Sequence, residues 1–270
     1  MAPQNKRQNL NGSTVTGPRM LHSMTEMPRV LLEMSSVSLA LPLLVSEAPQ
    51  GDGHPVLILP GFTAGDGSTS IFRRFLTQLD YKALPWLQGT NTGNRTLLEG
   101  IMRRFYRMHK EMGTKISIVG QSLGGVFARE IAREFPDAVR SVVTLGSPFA
   151  ATHGTTNPAV EKLFEQLSGS TIEEMRAQMP DPDKQAPLTM PSTAIYSKED
   201  GVVAWQTCIE PETEISENIR VIGSHSGMSM NSHVLHIVAD RLAQNPDNWE
   251  RFDLSRGCRR WFYPPADLAI

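Results

Sequence analysis

Cysteine, long apolar runs and an excess of either charge are all scarce in this sequence. Its two cysteines, Cys208 and Cys258, are too few for a disulfide framework and too far apart to indicate a metal site. We expect two reduced, buried thiols, with a single bridge as the alternative in an oxidising compartment. The net charge of −2 provides no basic surface for nucleic acid and no strong field toward a membrane surface. The balance of charge therefore argues against a nucleic-acid partner.

No apolar run reaches the ~20 residues needed to span a bilayer, so we expect no transmembrane segment. The most apolar segment, residues 37–45, contains Pro42, and its extension toward the N-terminus meets Glu33. We expect this segment to cover one edge of the domain, with a membrane anchor as the alternative. Residues 1–27 are polar and lack the apolar core of a secretory signal. They are predicted to form a flexible lead, and a cytoplasmic location is expected.

The remaining residues, 28–270, suit one α/β domain. Short apolar strands alternate with amphipathic helical patterns, which is typical of a parallel sheet with crossover helices. Strands are predicted at residues 55–59, 82–86, 115–119, 141–145, 193–196 and 219–222. Amphipathic helices are predicted at residues 68–79, 96–112, 123–135 and 232–242. Residues 150–190 break the alternation and are predicted to form a small helical cap over a site.

A short pattern, Gly120-Gln121-Ser122-Leu123-Gly124, supplies the candidate nucleophile. It follows an apolar strand and opens an amphipathic helix, which is the strand–turn–helix setting that a serine nucleophile requires. The flanking glycines lack the Cβ atoms that would clash where the strand and helix come close together. Ser122 would lie at the N-terminus of a helix whose dipole favours developing negative charge. A glycine-rich turn with an N-capping serine is the alternative interpretation.

A serine hydroxyl is a weak nucleophile at neutral pH and needs a positioned base. In this setting the acid and then the histidine follow the serine along the chain. His225 comes after the predicted strand 219–222, and Asp200 precedes a glycine after the strand before it. Both are expected at the carboxyl edge of the sheet, with His225 as the base and Asp200 as the acid that orients it. His233 as base and Glu199 as acid remain alternatives.

Two backbone N–H groups are candidates for stabilising an oxyanion. Leu123 follows the nucleophile directly, and Phe62 lies in the loop after the first central strand, where Gly61 permits a turn. The sequence contains no metal-ligand cluster, phosphate-binding loop or dinucleotide fingerprint. We therefore expect neither a cofactor nor a metal.

Motifs in a characteristic order make the chain resemble the α/β-hydrolase superfamily, and within it the bacterial lipases and carboxylesterases. They occupy residues 57–62, 120–125, 145–149, 196–203 and 224–228. The resemblance implies an α/β-hydrolase fold, in which a mainly parallel central sheet is flanked by helices on both faces and carries a small helical cap insertion. It also implies ester hydrolysis through an acyl-enzyme without a cofactor. Pro60-Gly61-Phe62 departs from the His-Gly pair of many members, so the resemblance does not specify the acyl and alcohol groups.

We therefore expect a serine esterase or lipase-like enzyme whose partner is a small-molecule ester with an apolar acyl or aryl group. Apolar side chains of the insertion are expected to wall the acyl site; they are Leu163, Phe164, Leu167 and Met175. An acyltransferase, thioesterase, amidase or lactonase would use the same acyl-enzyme, so these activities remain alternatives. A non-enzymatic binding protein on a hydrolase fold is the alternative from a different class. The sequence does not predict an oligomeric state.

Overall fold

The computed structural model describes residues 15, 17–179, 186–256 and 259–265 of the chain. Cys208 is buried, whereas Cys258 lies outside these residues, so the state of the two cysteines stays a prediction. Much of the predicted lead, namely residues 1–14 and 16, also lies outside them.

A parallel sheet forms the centre of the protein. Its strands are β1 (Pro55–Leu59), β2 (Lys82–Leu84), β3 (Ile116–Gln121), β4 (Val139–Leu145), β5 (Ser192–Tyr196) and β6 (Ser216–Arg220). The six strands lie in the order β2-β1-β3-β4-β5-β6, and each adjacent pair is parallel. The strand order reverses direction between β1 and β3, so the loops that follow these two strands diverge and leave a crevice at their carboxyl ends.

Helices cover both faces of the sheet. They are α1 (Met20–Met24), α2 (Glu26–Glu47), α3 (Ser70–Gln78), α4 (Arg95–Met112), α5 (Leu123–Glu134), α6 (Pro158–Ser168), α7 (Ile172–Ala177), α8 (Ser232–Leu242) and α9 (Arg259–Phe262). In β1, Leu57 and Leu59 pack on the α4–α5 side, whereas Val56 and Ile58 pack on the α3–α8 side. A parallel sheet buried on both faces is the predicted fold class, which is confirmed.

Most element boundaries follow local signals in the sequence. The side chain of Asn94 accepts a hydrogen bond from the Thr96 N–H at the start of α4, and the helix ends at Gly113, whose φ of 64° is the left-handed conformation that glycine favours. At β6 the prediction 219–222 is wrong, because the strand covers Ser216–Arg220. Ile222 is 61% exposed, so the apolar run continues after the strand has ended.

The N-terminal helices differ from the sequence prediction. α1 and the first residues of α2 are helical within residues 1–27, where a flexible lead is predicted. α2 also continues through Pro42, although the sequence suggests an interruption there. A proline removes one helical N–H and crowds the carbonyl four residues earlier. Pro42 and Ser38 both lie on the exposed side of α2, where the freed carbonyl faces solvent rather than the protein core.

α2 is also longer and more apolar than the sequence prediction suggested. With 22 residues and a mean hydropathy of 1.5, it meets the length and composition of a membrane-crossing helix. Helices that pack on soluble domains and signal sequences meet the same criteria, so these two properties do not identify a membrane span. One side of α2 packs on α8, where Val37 has no exposed surface.

Candidate active site

The turn from β3 into α5 holds Ser122 in a strained conformation. β3 ends at Gln121 and α5 begins at Leu123, and the residue between them has a φ of 50° and a ψ of −123°. Residues other than glycine adopt such angles rarely, and only where the surrounding structure enforces them. The strand–turn–helix setting predicted for Ser122 is therefore present.

Glycines allow this turn because the strand and the helix approach closely. A Cβ atom on Gly120 would lie 2.4 Å from the Gly124 carbonyl oxygen, and a Cβ on Gly124 would lie 2.3 Å from the Leu59 carbonyl oxygen. These distances are far below van der Waals contact. The atoms concerned are backbone carbonyl oxygens, which cannot move aside by a side-chain rotation. A side chain at either glycine would therefore push α5 away from β1 and β3.

We expect Gly124→Ala to destabilise the fold by about 1–3 kcal/mol, the usual cost of forcing an extra methyl group into a packed region. Chemical denaturation of the variant and the wild type measures this change. Gly67→Ala is the matched control, because a Cβ at Gly67 meets nothing within 4 Å. Equal denaturation midpoints for Gly124→Ala and the wild type would contradict the close approach of α5 to β1.

Three side chains from three loops form a hydrogen-bonded line at the carboxyl edge of the sheet. The Oγ of Ser122 lies 2.9 Å from Nε2 of His225. The Nδ1 of the same imidazole lies 2.6 Å from Oδ2 of Asp200. Asp200 and His225 are 3% and 5% exposed, so water competes little for these bonds. The structure thus brings together the three residues that the sequence singled out.

The second oxygen of Asp200 fixes the orientation of the carboxylate. Oδ1 accepts hydrogen bonds from the N–H groups of Val202 and Val203, each at 2.8 Å. Both donors belong to the turn that follows β5, so Oδ2 remains directed at His225. The glycine after Asp200 is required by a close approach, since a Cβ on Gly201 would lie 2.5 Å from the His22 carbonyl oxygen.

The surroundings raise the pKa of His225 above its ordinary value of 6.5. Burial alone would lower this pKa, because it disfavours the charged imidazolium. The charge of Asp200, its hydrogen bond to Nδ1 and the charge of Glu26 together outweigh burial. The imidazole is therefore a stronger base than a free histidine, which suits a group that must take a proton from a serine hydroxyl.

The alternatives kept from the sequence lie elsewhere. Glu199 bonds Arg220 at 3.0 Å and accepts a hydrogen bond from the Ser197 hydroxyl, so both of its oxygens are engaged away from His225. The ring of His233 packs against Phe262 and Tyr263. Among the described residues, no hydrogen bond joins either side chain to Ser122, Asp200 or His225.

The loop after β1, which contains Phe62, comes close to Ser122 at Gly61. A Cβ on Gly61 would lie 3.3 Å from the Ser122 Cβ, so the backbone of this loop passes directly over the nucleophile. Among the described residues the Phe62 N–H has no acceptor. The Leu123 N–H is the first amide of α5 and likewise has no acceptor among the described residues. Both amides are therefore available as donors.

Asn91, which the sequence analysis did not single out, holds this loop in shape. It has no exposed surface, and its Nδ2 donates to the Pro60 carbonyl at 3.0 Å. Its backbone accepts from the Thr63 N–H and donates to the Ala64 carbonyl, each at 2.8 Å. The signal was a glycine- and asparagine-rich segment, which by composition alone indicates only a loop.

Gln121 is a second supporting residue that the sequence analysis missed. Its Nε2 donates to the carbonyls of His225 and Ser226, at 3.0 and 3.2 Å. The residue before the nucleophile thus binds the loop that carries the imidazole. The available signal was a glutamine at the end of an apolar strand that was predicted to be buried. A polar side chain in such a place needs hydrogen-bond partners.

A second Asp–His–Ser line occurs near the opposite edge of the sheet. Nδ1 of His54 lies 2.5 Å from Asp52, and Nε2 lies 2.9 Å from the Ser117 hydroxyl. Ser117 has no exposed surface, and its hydroxyl also contacts that of Ser141. Burial lowers the pKa of His54 by more than the bond to Asp52 raises it. No ester can reach this hydroxyl, so the line is structural.

Ser122, in contrast, opens into an apolar pocket between the sheet edge and the insertion. Phe62 and Leu123 border it on the sheet side, and Phe164 and Met175 line it from α6 and α7. The expected wall residues Leu163 and Leu167 are 41% and 45% exposed and do not line the pocket. They occupy the outer side of α6. Apolar residues occur on both sides of this helix, so their spacing alone did not show which side faces the pocket.

The start of the insertion is hydrogen-bonded to the loop that carries Asp200. The Asn157 N–H donates to the Val202 carbonyl, and the Ala204 N–H donates to the Thr155 carbonyl, both at 2.7 Å. Thr156 and Val203 thereby form an antiparallel bridge. The cap is thus joined directly to the residues whose amides hold Asp200.

This fold, with a serine at the turn after the central strand β3, is that of an α/β hydrolase. Residues 92–233 match the family model described as a PGAP1-like alpha/beta domain, and the chain therefore belongs to this family. The matched region contains Ser122, Asp200 and His225, but neither Phe62 nor α2. Among curated proteins none is significantly similar in sequence.

Solved structures with the same fold include two lipases. Lipase B of Aspergillus fumigatus superimposes with a TM-score of 0.59 at 18% identity, over 82% of this chain and 60% of that one. The chain thus spans 60% of the length of that lipase. Monoacylglycerol lipase of Paleococcus ferrophilus superimposes with a TM-score of 0.50 at 13% identity, over 72% of this chain and 96% of that one. At these identities the likeness shows the fold.

Proposed function

We propose that the protein is a serine hydrolase that cleaves carboxylic esters through an acyl-enzyme on Ser122. The observation that carries the proposal is the line from Asp200 through His225 to Ser122, which ends in an apolar pocket. The buried line at Ser117 has similar distances but no access, so the pocket is what distinguishes a reactive serine from a structural one.

In the first half of the reaction, the Oγ of Ser122 attacks the ester carbonyl while its proton moves to Nε2 of His225. The carbonyl oxygen becomes an oxyanion that accepts hydrogen bonds from the N–H groups of Phe62 and Leu123. The C–O bond to the alcohol then breaks, and the imidazolium returns the proton to the leaving oxygen. Asp200 keeps Nδ1 protonated throughout, so that Nε2 is the nitrogen that accepts and donates.

In the second half, water attacks the acyl-enzyme and gives its proton to His225, and the acid is released as Ser122 regains its proton. The pocket favours an apolar acyl or aryl group, since the side chains that line it include Phe62, Val126, Phe149 and Phe164. Burial of each methylene contributes about 0.8 kcal/mol, or about fourfold in binding.

A panel of p-nitrophenyl esters from two to sixteen carbons tests this proposal. We expect turnover by the wild type, with kcat/KM rising about fourfold for each added methylene until the pocket is filled. Phe164→Ala should change this dependence on chain length, whereas Leu167→Ala, on the exposed side of the same helix, should not. An absence of turnover across the whole panel would refute ester hydrolysis.

A further inference from the structure

The loop of His225 contacts the N-terminal helix α2 as well as the sheet. Residues 223–227 lie against one side of α2 formed by Glu26, Arg29 and Glu33. Spacings of three, four and seven residues place these side chains on the same face of a helix. The pair of helices α1 and α2 lies outside the region that matches the family model.

Each carboxylate binds one residue adjacent to His225. The Ser224 N–H donates to Oε1 of Glu33 at 2.7 Å, and the Ser224 hydroxyl donates to Oε2. On the other side of the histidine, the Ser226 N–H donates to Oε1 of Glu26 at 2.8 Å. The backbone is thus fixed immediately before and immediately after the imidazole.

An arginine completes this set of contacts. Nη1 of Arg29 donates to the Gly223 carbonyl at 3.1 Å, and Nη2 binds Oε2 of Glu26 at 2.9 Å. Glu26 is only 7% exposed, and a buried carboxylate is retained where charge-assisted hydrogen bonds satisfy it. Its burial is therefore explained by Arg29 and by the loop of His225.

Glycines give the carboxylates the space to reach the loop. A Cβ on Gly227 would lie 1.7 Å from Oε2 of Glu33, and a Cβ on Gly223 would lie 2.9 Å from Oε1. A Cβ on Gly201, next to Asp200, would lie 2.7 Å from Oε2 of Glu26. The Ser23 hydroxyl also donates to the Gly201 carbonyl at 2.6 Å. The N-terminal helices therefore contact the loops of both the proposed base and the proposed acid.

We propose that Glu26 and Glu33 of α2 are positioning residues that hold His225 in line with Ser122 by binding the backbone on either side of it. This inference rests on the proposed function, because it assigns the two carboxylates a part in the same proton transfer. Neither side chain touches the reacting atoms. Glu26 also acts through its charge, which adds to that of Asp200 in raising the pKa of His225.

The charged groups nearest to His225 lie in the loop after β5 and on α2. Asp200 lies in the loop after β5, and Glu26, Arg29 and Glu33 lie on α2. Glu199 and Arg220 form a pair behind Ser197, whose hydroxyl binds the Gly223 carbonyl. Glu26→Gln removes one negative charge from the surroundings of the imidazole. It also leaves the positive charge of Arg29 without its ion-pair partner, so both effects lower the pKa of His225.

The test compares Glu33→Ala, Glu33→Gln and Glu26→Gln with Glu47→Gln, an exposed carboxylate at the far end of α2. Two quantities are measured on the full chain: the rate at which a fluorophosphonate labels Ser122, and the pKa of His225 from its NMR titration. For Glu33→Ala we expect labelling and kcat to fall about 10- to 100-fold with little change in KM, since a displacement of about 1 Å has effects of this size. Glu33→Gln should retain more activity, because its amide oxygen still accepts from the Ser224 N–H.

For Glu26→Gln we expect the pKa of His225 and the acid limb of the kcat/KM profile to move to lower pH. A residue that only supported the fold would leave both unchanged. Wild-type labelling rates in both Glu33 variants and an unshifted His225 pKa in Glu26→Gln would overturn the inference while leaving ester hydrolysis intact. If the wild type itself is not labelled at Ser122, the proposed function fails, and the NMR titration of Glu26→Gln still decides the effect of its charge.

Discussion

Ser122→Ala is expected to lower ester turnover by a factor on the order of 10⁶ and to abolish labelling by a fluorophosphonate. In the proposed mechanism the acyl-enzyme forms on this hydroxyl, and among the described residues no other hydroxyl is hydrogen-bonded to His225. The residual rate would come from the oxyanion donors and from substrate binding. Turnover of p-nitrophenyl esters and the intact mass after labelling measure both effects. Alanine and serine are strained to a similar degree at a φ of 50°, so little change in stability is expected.

Ser117→Ala is the matched control for this prediction. It removes a hydroxyl that also lies 2.9 Å from an imidazole nitrogen, but in a position that no substrate reaches. We expect unchanged turnover and a loss of about 1–3 kcal/mol in the free energy of unfolding, because the buried Nε2 of His54 loses its hydrogen-bond partner. Turnover retained in Ser122→Ala, or lost in a folded Ser117→Ala, would show that the reactive serine has been assigned wrongly.

Asp200→Asn should lower kcat by about 10⁴-fold while the substrate still binds. The N–H groups of Val202 and Val203 need an acceptor, so the amide oxygen of the asparagine must take the place of Oδ1. The amide nitrogen is then directed at His225 and donates to Nδ1. The imidazole must carry its proton on Nε2, where it cannot accept the proton of Ser122. Steady-state kinetics with a p-nitrophenyl ester measures the loss.

Asp52→Asn provides the corresponding control. Burial opposes the ionisation of Asp52, but hydrogen bonds from His54 and the charges of His54 and Arg140 outweigh it and lower the pKa of Asp52 to about 2. This carboxylate therefore stabilises the fold above its ordinary pKa of 3.8, and the contribution is lost as the pH falls toward 2. We expect Asp52→Asn to reduce stability at neutral pH and to leave kcat unchanged. Equal losses of kcat in both variants would contradict the separate roles of the two lines.

Local patterns in the sequence were sufficient for the turn that carries Ser122. The apolar strand before Ser122, the helix after it and the glycines at 120 and 124 all predict one turn, and the structure contains it. Asp200 and His225 were found because parallel strands bring their carboxyl ends to the same edge. Each inference needed only the residues within one or two elements.

The missed contacts join segments that are far apart in the chain. Glu33 binds Ser224, which lies 191 residues away, and no periodicity within α2 indicates such a partner. Asn91 and Gln121 are similar, because their importance comes from the carbonyls they meet after folding. The interruption predicted at Pro42 is absent for another physical reason, since the cost of a proline within a helix depends on whether water can satisfy the freed carbonyl.

The bridge between Thr156 and Val203 limits which residues can be changed to alter the substrate range of this protein. Substitutions at residues 155–157 would disturb the amides that hold Asp200, so a gain in selectivity there would come with a slower reaction. Phe164 and Met175 line the pocket from helices beyond this bridge. A library intended to change selectivity while preserving the rate should therefore vary these two positions and keep the bridge constant.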